Sequence, residues 1–122
     1  MAPNTVIGAA HPVALGTEGE AQMSKEMQEK VVNDAAAYIR SIAQAHRRNM
    51  DWAEKAVRGS VSATEQEALE LNVIDMVAPD INSLVSQLDG WQVTMLDGSV
   101  VTLHTQGAEI GYIKMSAIEN FV

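Results

Sequence analysis

Few residues in this chain are of a type that does chemistry, and most of those have simpler uses. The three histidines, His11, His46 and His104, lie far apart and in different local patterns. None forms the short-spaced pair or the HExxH run that holds zinc, so no metal site is expected. Cysteine is absent, which removes thiolate nucleophiles, disulfides and Cys-based metal sites together. Eight serines are present, none of them in a G-x-S-x-G turn. Ser62 reads as a helix cap and Ser60 and Ser99 as turn residues. Gly16-Thr17-Glu18-Gly19 lacks the Lys-Ser/Thr of a phosphate loop and carries acid where a phosphate would be repelled. No cofactor motif is found. Glu65, Glu67 and Glu70 read as a solvated helix face.

Lys30, in the stretch EKVVNDAAAYIR, is the exception. At about 100° per residue it lies about 60° from Met27, flanking an apolar stripe rather than opposing it. Two readings stay open on these residues. In one, the methylenes cover apolar neighbours while the ammonium reaches water near Asp34, four residues on. In the other, a desolvated neutral amine takes the proton of a serine hydroxyl, the Ser-Lys form of acyl-transfer chemistry. The second reading requires a serine placed by another part of the fold.

The elements that must position these groups follow from local pattern. Thr5 to Ala10 reads as a short strand closed by His11-Pro12. A Gly-punctuated acidic loop, Gly16 to Ala21, follows and is expected to be mobile. From about Met23 the period becomes helical, with Met23, Met27, Val31, Tyr38 and Ile42 on the stripe expected to be buried. That helix runs to about Ala45, where His46-Arg47-Arg48 suit a helix C-terminus. Asn49 caps a second helix over Met50 to Val57, ended by Gly59. Ser62-Ala63-Thr64-Glu65 has the form of a capping box and opens a third helix with Ala68, Leu69 and Leu71, stopped near Asn72. Val73 to Val77 is β-branched and reads as a buried strand. Asp80 caps a fourth helix carrying Ile81, Leu84, Val85 and Leu88, ended by Gly90. Trp91–Leu96 and Val100–His104 flank Asp97-Gly98-Ser99 as a hairpin, and Ile110 to Met115 is expected to add a third strand. The order predicts an α/β body with a small β appendage.

The bulk composition narrows the function classes. A chain of 122 residues holds one core. Hydrophobic residues make up 47% but aromatics only 4%, so the core must come from Ala, Val, Ile, Leu and seven Met. A net charge of -8, with only Arg47 and Arg48 adjacent among the basic residues, argues against nucleic acid or an anionic membrane surface as partner. No signal peptide and no membrane span is read, and the chain is expected to be soluble, with its location unknown.

Three blocks carry a resemblance: MAPNTVIGAAHPV, KVVNDAAAYIRSIAQAHRRNMDWAEKAVRGSVS and ATEQEALELNVIDMVAPDINSLVSQLDG. In order and spacing they resemble the NfeD family of membrane-bound serine proteases of the ClpP class, encoded beside stomatin-like proteins. The match covers about Met1 to Gly90. It implies a helix-rich, partial ClpP/crotonase-like α/β domain over 1–90, with a C-terminal β-hairpin or meander and pre-membrane tail over 91–122. Within that family a Ser-Lys dyad is used, and its lysine opens the helix that reads here Lys30, Asn33 and Tyr38-Ile39-Arg40. By resemblance Lys30 is therefore the general base. The family's serine lies upstream of the block that begins at Met1, so the nucleophile is expected outside this chain. Gly is usual in the family where this chain has Asn4 and Asn72; Asn tolerates the left-handed backbone those turns require.

The expected function is thus a fragment of a Ser-Lys serine protease, inactive by itself, that acts on an apolar peptide or a stomatin-like protein. Ile7, Gly8 and Ala9 are candidates for binding a peptide by strand addition, and a core strand with a small-residue turn fits them equally well. The alternative is a non-catalytic, self-associating binding protein from a truncated reading frame, a homo-oligomer through apolar surface left uncovered. A crotonase-type acyl-CoA site is a third option, whose oxyanion loops would also fall upstream.

Overall fold

Residues 1–13 and 24–116 are described by the computed structural model. The acidic loop expected at Gly16–Ala21, Met23 and the end of the pre-membrane tail lie outside them. Strand β1 (Val6–Gly8) is followed by helices α1 (Lys25–Ala45) and α2 (Met50–Arg58), strand β2 (Ser62–Thr64), and helices α3 (Glu65–Glu70) and α4 (Ile81–Leu88). Strands β3 (Gln92–Thr94) and β4 (Val100–Thr102) end the series. Two antiparallel pairs form: β1 with β2 in the register Val6↔Thr64 to Gly8↔Ser62, and the hairpin β3 with β4.

Each helix start is set by a side-chain oxygen accepting from an orphan N–H. Ser24 caps α1 through Met27 N, Asn49 caps α2 through Trp52 N, and Asp80 caps α4 through Ser83 N. The third helix departs from expectation. Two S/T-x-x-E frames overlap, and the box that forms is Thr64 with Glu67, not Ser62 with Glu65. Ser62 is taken up by β2, where Ala63 is buried opposite Ile7. Glu65 is used differently: the backbone N–H groups of Asn4 and then its own hold its carboxylate below the ordinary range. That ties the chain start to α3.

Helices α1 and α3 end alike. Arg47 N–H donates to Gln44 O and Arg48 N–H to Ala43 O, with Arg47 left-handed at φ 56°. Asn72 N–H donates to Leu69 O and Val73 N–H to Ala68 O, with Asn72 at φ 57°. Both are Schellman closures with a residue other than Gly at the left-handed position. The two ends are stitched together, since Asn72 Nδ2 donates to Arg47 O and Asn49 Nδ2 to Leu71 O. Asn4, at φ 59°, is left-handed as expected.

The core is built from small residues. Ala36 and Ala43 of α1 and Ala53, Ala56 and Val57 of α2 are buried, as are Ala63, Ala68 and Ala78. Small side chains let α1 and α2 approach closely along their lengths. The buried stripe of α1 therefore runs through Val32, Ala36, Ile39 and Ala43, with Val32 and Ile39 half-buried. The stripe expected to be buried lies on another face: Met27 is 49% exposed, Tyr38 70% and Ile42 37%.

Two expected strands do not form. Val73–Val77 is irregular, with Val73 and Ile74 N–H spent on Ala68 O, and Ile110–Met115 has no strand partner among the described residues. β-Branched composition alone does not make a strand; a ladder partner is needed. The hairpin forms where Asp97-Gly98-Ser99 placed it, with Gly98 at φ 87° and Asp97 Oδ1 accepting from Ser99 N and Oγ. It is joined to α4 by Gly90 N–H donating to Leu103 O and by Thr105 Oγ1 donating to Val85 O.

Candidate active site

Lys30 lies in the second turn of α1 and is exposed. At 100° per residue it stands roughly 150° round the helix from the centre of the buried stripe, and it flanks the uncovered stripe of Met27, Tyr38 and Ile42. Its helix is locked in rotation by a polar ladder. Arg58 Nη1 donates to Asn33 Oδ1 at 2.8 Å, one turn beyond Lys30, and Arg58 Nε to Glu54 Oε1 at 2.7 Å. Glu54 Oε2 accepts from Arg40 Nη1 at 2.7 Å, and Arg40 also reaches Asp51 at 3.0 Å. Donation from Arg58, then from Arg40, holds the Glu54 carboxyl below the ordinary range, while Asp51 and Glu54 raise Arg40. Only the Glu54–Arg58 step was foreseeable, from its i, i+4 spacing.

The other candidates sit apart from Lys30. Ile7 and Gly8 line an apolar groove of about 390 Å³ with Ile42, Trp52, Ala56 and Val73; neither Lys30 nor Ala9 lines it. Ala9 spends its N–H on Val61 O at 2.9 Å and is left-handed at φ 52°. Gly8 is at φ 129°, and a Cβ there would run into the Val61 carbonyl. One edge of β1 is occupied by β2; the other has no strand beside it among the described residues. His11 Nδ1 is 2.8 Å from Val57 O, and His46 caps α1. No cluster of three metal-ligating side chains occurs among the described residues. No helix there is long and apolar enough to cross a membrane.

No family model matches the chain. A membrane-bound protease of Pyrococcus horikoshii is 38% identical over 117 residues, 95% of this chain. Two solved structures of a membrane-bound stomatin-specific protease superpose on the same residues. A serine-to-alanine variant gives a TM-score of 0.79 at 36% identity, over 95% of this chain. A lysine-to-alanine variant in complex with a substrate peptide gives 0.82 at 32% identity, over 99%. The chain is homologous to part of this membrane-bound protease. The resemblance carried by the three residue blocks is met. The helices and small antiparallel sheets are those of a partial α/β domain of the ClpP-like kind. The match spans 26% of the curated relative and 55–56% of the two solved chains.

Proposed function

We propose that this chain is the lysine-bearing part of a Ser-Lys serine protease domain, with Lys30 as general base. The observation that carries the reading is the setting of Lys30. It stands beside an apolar stripe that the other described residues leave uncovered, on a helix whose rotation the Arg58–Glu54–Arg40 ladder fixes. Such a stripe, once covered, gives a lysine the low-dielectric wall that favours the neutral, proton-accepting amine. The solved relatives support the pairing, since one carries a replaced serine and another a replaced lysine. Those two positions are separated by more residues than precede Lys30 in this chain, so a serine at the same spacing falls before Met1.

The chemistry then divides between the parts. The serine oxygen would attack the peptide carbonyl as Lys30 Nζ takes its proton, and the lysine would return that proton to the leaving amine. Without that oxygen this chain performs no acylation by itself. The substrate class is an apolar peptide, as in the tail of a stomatin-like protein, lying in extended form along Ile7 and Gly8 at the free edge of β1. Residues 91–122 are read as an appendage to the protease part at 1–90.

The test joins the part of the P. horikoshii domain that precedes the matched region to Met1 of this chain. The fusion should cleave an apolar peptide and take a fluorophosphonate label, and Lys30→Ala should lower cleavage by about three orders of magnitude. In the unfused chain, where the side chain is exposed, the same substitution should move stability by no more than about 0.5 kcal/mol. A Lys30→Ala fusion that cleaves normally would sink the assignment. Labelling of the unfused chain would overturn its inactivity.

A second reading, self-association, has its own support in the exposed Met27, Tyr38 and Ile42. It places a homo-oligomer contact on that stripe.

A further inference from the structure

The β-branched run at Val73–Val77 has strand composition but no ladder, and the bonds at its end show why. The Met1 ammonium donates to Met76 O at 2.9 Å, and Ala78 N–H donates to Met1 O at 3.0 Å. One residue bonded to the carbonyl before and the amide after a single counterpart, here Val77, is the signature of a parallel bridge. We propose that Met1 is the last rung of a parallel β-ladder. Its other rung would pair Asp75 with a strand that runs into Met1 from the half of the protease domain outside the matched region.

The register is fixed by the bridge. Two residues back from Met1, the incoming strand would donate its N–H to Ile74 O and accept from Met76 N–H. Both groups are available, since among the described residues neither has a hydrogen-bond partner. The opposite edge is closed to such a partner, because Val77 O accepts from Gln87 Nε2 and Val73 N–H is spent on Ala68 O. Side chains agree with the backbone. Val73, Ile74, Met76 and Val77 are half-buried, as suits a strand in a sheet not yet complete, and Ala78 is buried. Beside the bridge lies an apolar hollow of about 330 Å³ between Met1, Pro79, Ile81 and Leu84, with Ile81 48% exposed. A partner strand with apolar residues would cover it. The occupant is a polypeptide strand and not a small ligand, because the free groups are backbone groups at strand spacing.

The identity of the partner rests on the protease reading; the ladder and its register do not. The experiment measures amide hydrogen exchange by NMR on the chain and on its fusion to the upstream part of the P. horikoshii domain. Met76 N–H should slow by about 100-fold or more in the fusion, while Asp75 N–H, which faces the other edge, should change far less. A second fusion carries a six-residue leader of alternating Thr and Val before Met1, and the same contrast is expected if the first fusion does not fold. Met76 exchanging as fast in a folded fusion as in the chain alone overturns the ladder. Met76 protected in a fusion that fails to cleave peptide overturns the role of Lys30 and leaves the ladder standing.

Discussion

Thr64 and Ser62 offered the same local motif, and the sheet decided between them. Thr64 Oγ1 accepts from Glu67 N while Glu67 Oε2 accepts from Thr64 N, so two orphan donors are satisfied together. Thr64→Ala should cost about 1 kcal/mol, the usual worth of a cap, and Ser62→Ala should cost little, because Ser62 caps nothing. Paired urea melts check this, and equal losses would contradict the assignment of the box. The lesson for Lys30 is similar. Its type and its place on α1 were legible, because helical period needs only local spacing. Which face of α1 would be buried was not legible. Two stripes were apolar enough, and the seam of Ala36 and Ala43 against α2 prevailed because alanines allow close helix approach, which no single-helix pattern reports.

At the scale of elements, caps and turn residues foretold the boundaries of α2, α4 and the β3–β4 hairpin, since each is decided within a few residues. The closures of α1 and α3 show where that logic becomes quantitative. Arg47 holds a left-handed backbone that a side chain disfavours by roughly 1–2 kcal/mol. Arg47→Gly should therefore raise stability by about 1 kcal/mol. Asn72→Gly should not, because the Asn72 amide donates to Arg47 O and stitches the two helix ends. Thermal melts of both variants distinguish relief of strain from loss of the stitch. The joint between α4 and the hairpin responds to pH instead. Asp89 Oδ1 accepts from Thr105 and Gln106 N–H, and these bonds, Gln106 first, hold its carboxyl below the ordinary range. A depressed carboxyl contributes stability above its unfolded value of about 3.9, and that contribution fades as pH falls through the folded value. Asp97, lowered first by the Ser99 hydroxyl, adds to the same acid transition from within the turn. Amide exchange at Thr105 and Gln106 should accelerate below about pH 4 and Asp89→Asn should flatten that rise. An unchanged profile in Asp89→Asn would locate the transition elsewhere. The strands expected at Val73–Val77 and Ile110–Met115 fall outside local logic altogether, for a strand exists only with its neighbour.

At the scale of the molecule, the described residues leave more apolar surface exposed than they bury in large side chains. Among the described residues the buried hydrophobic side chains are seven alanines and Val57, while Val6, Tyr38 and Leu96 are each more than two-thirds exposed. Contiguous uncovered apolar faces drive association. The chain alone should therefore scatter light as more than its 13.1 kDa at micromolar concentration, with a melting temperature that rises with concentration. Replacing Met27 with Glu and Tyr38 with Lys should return it toward monomer without lowering the stability of that monomer, since both side chains are 49% exposed or more. Joining the upstream part of the P. horikoshii domain to Met1 should have the same effect by a different route, if that part covers the stripe beside Lys30. A clean monomer from the unaltered chain would show that these faces are too dispersed to pair, and the self-association reading would fall. Association lost in the double variant but kept in the fusion would separate the two occupants: the stripe would then be a contact between copies rather than a seam within the protease domain.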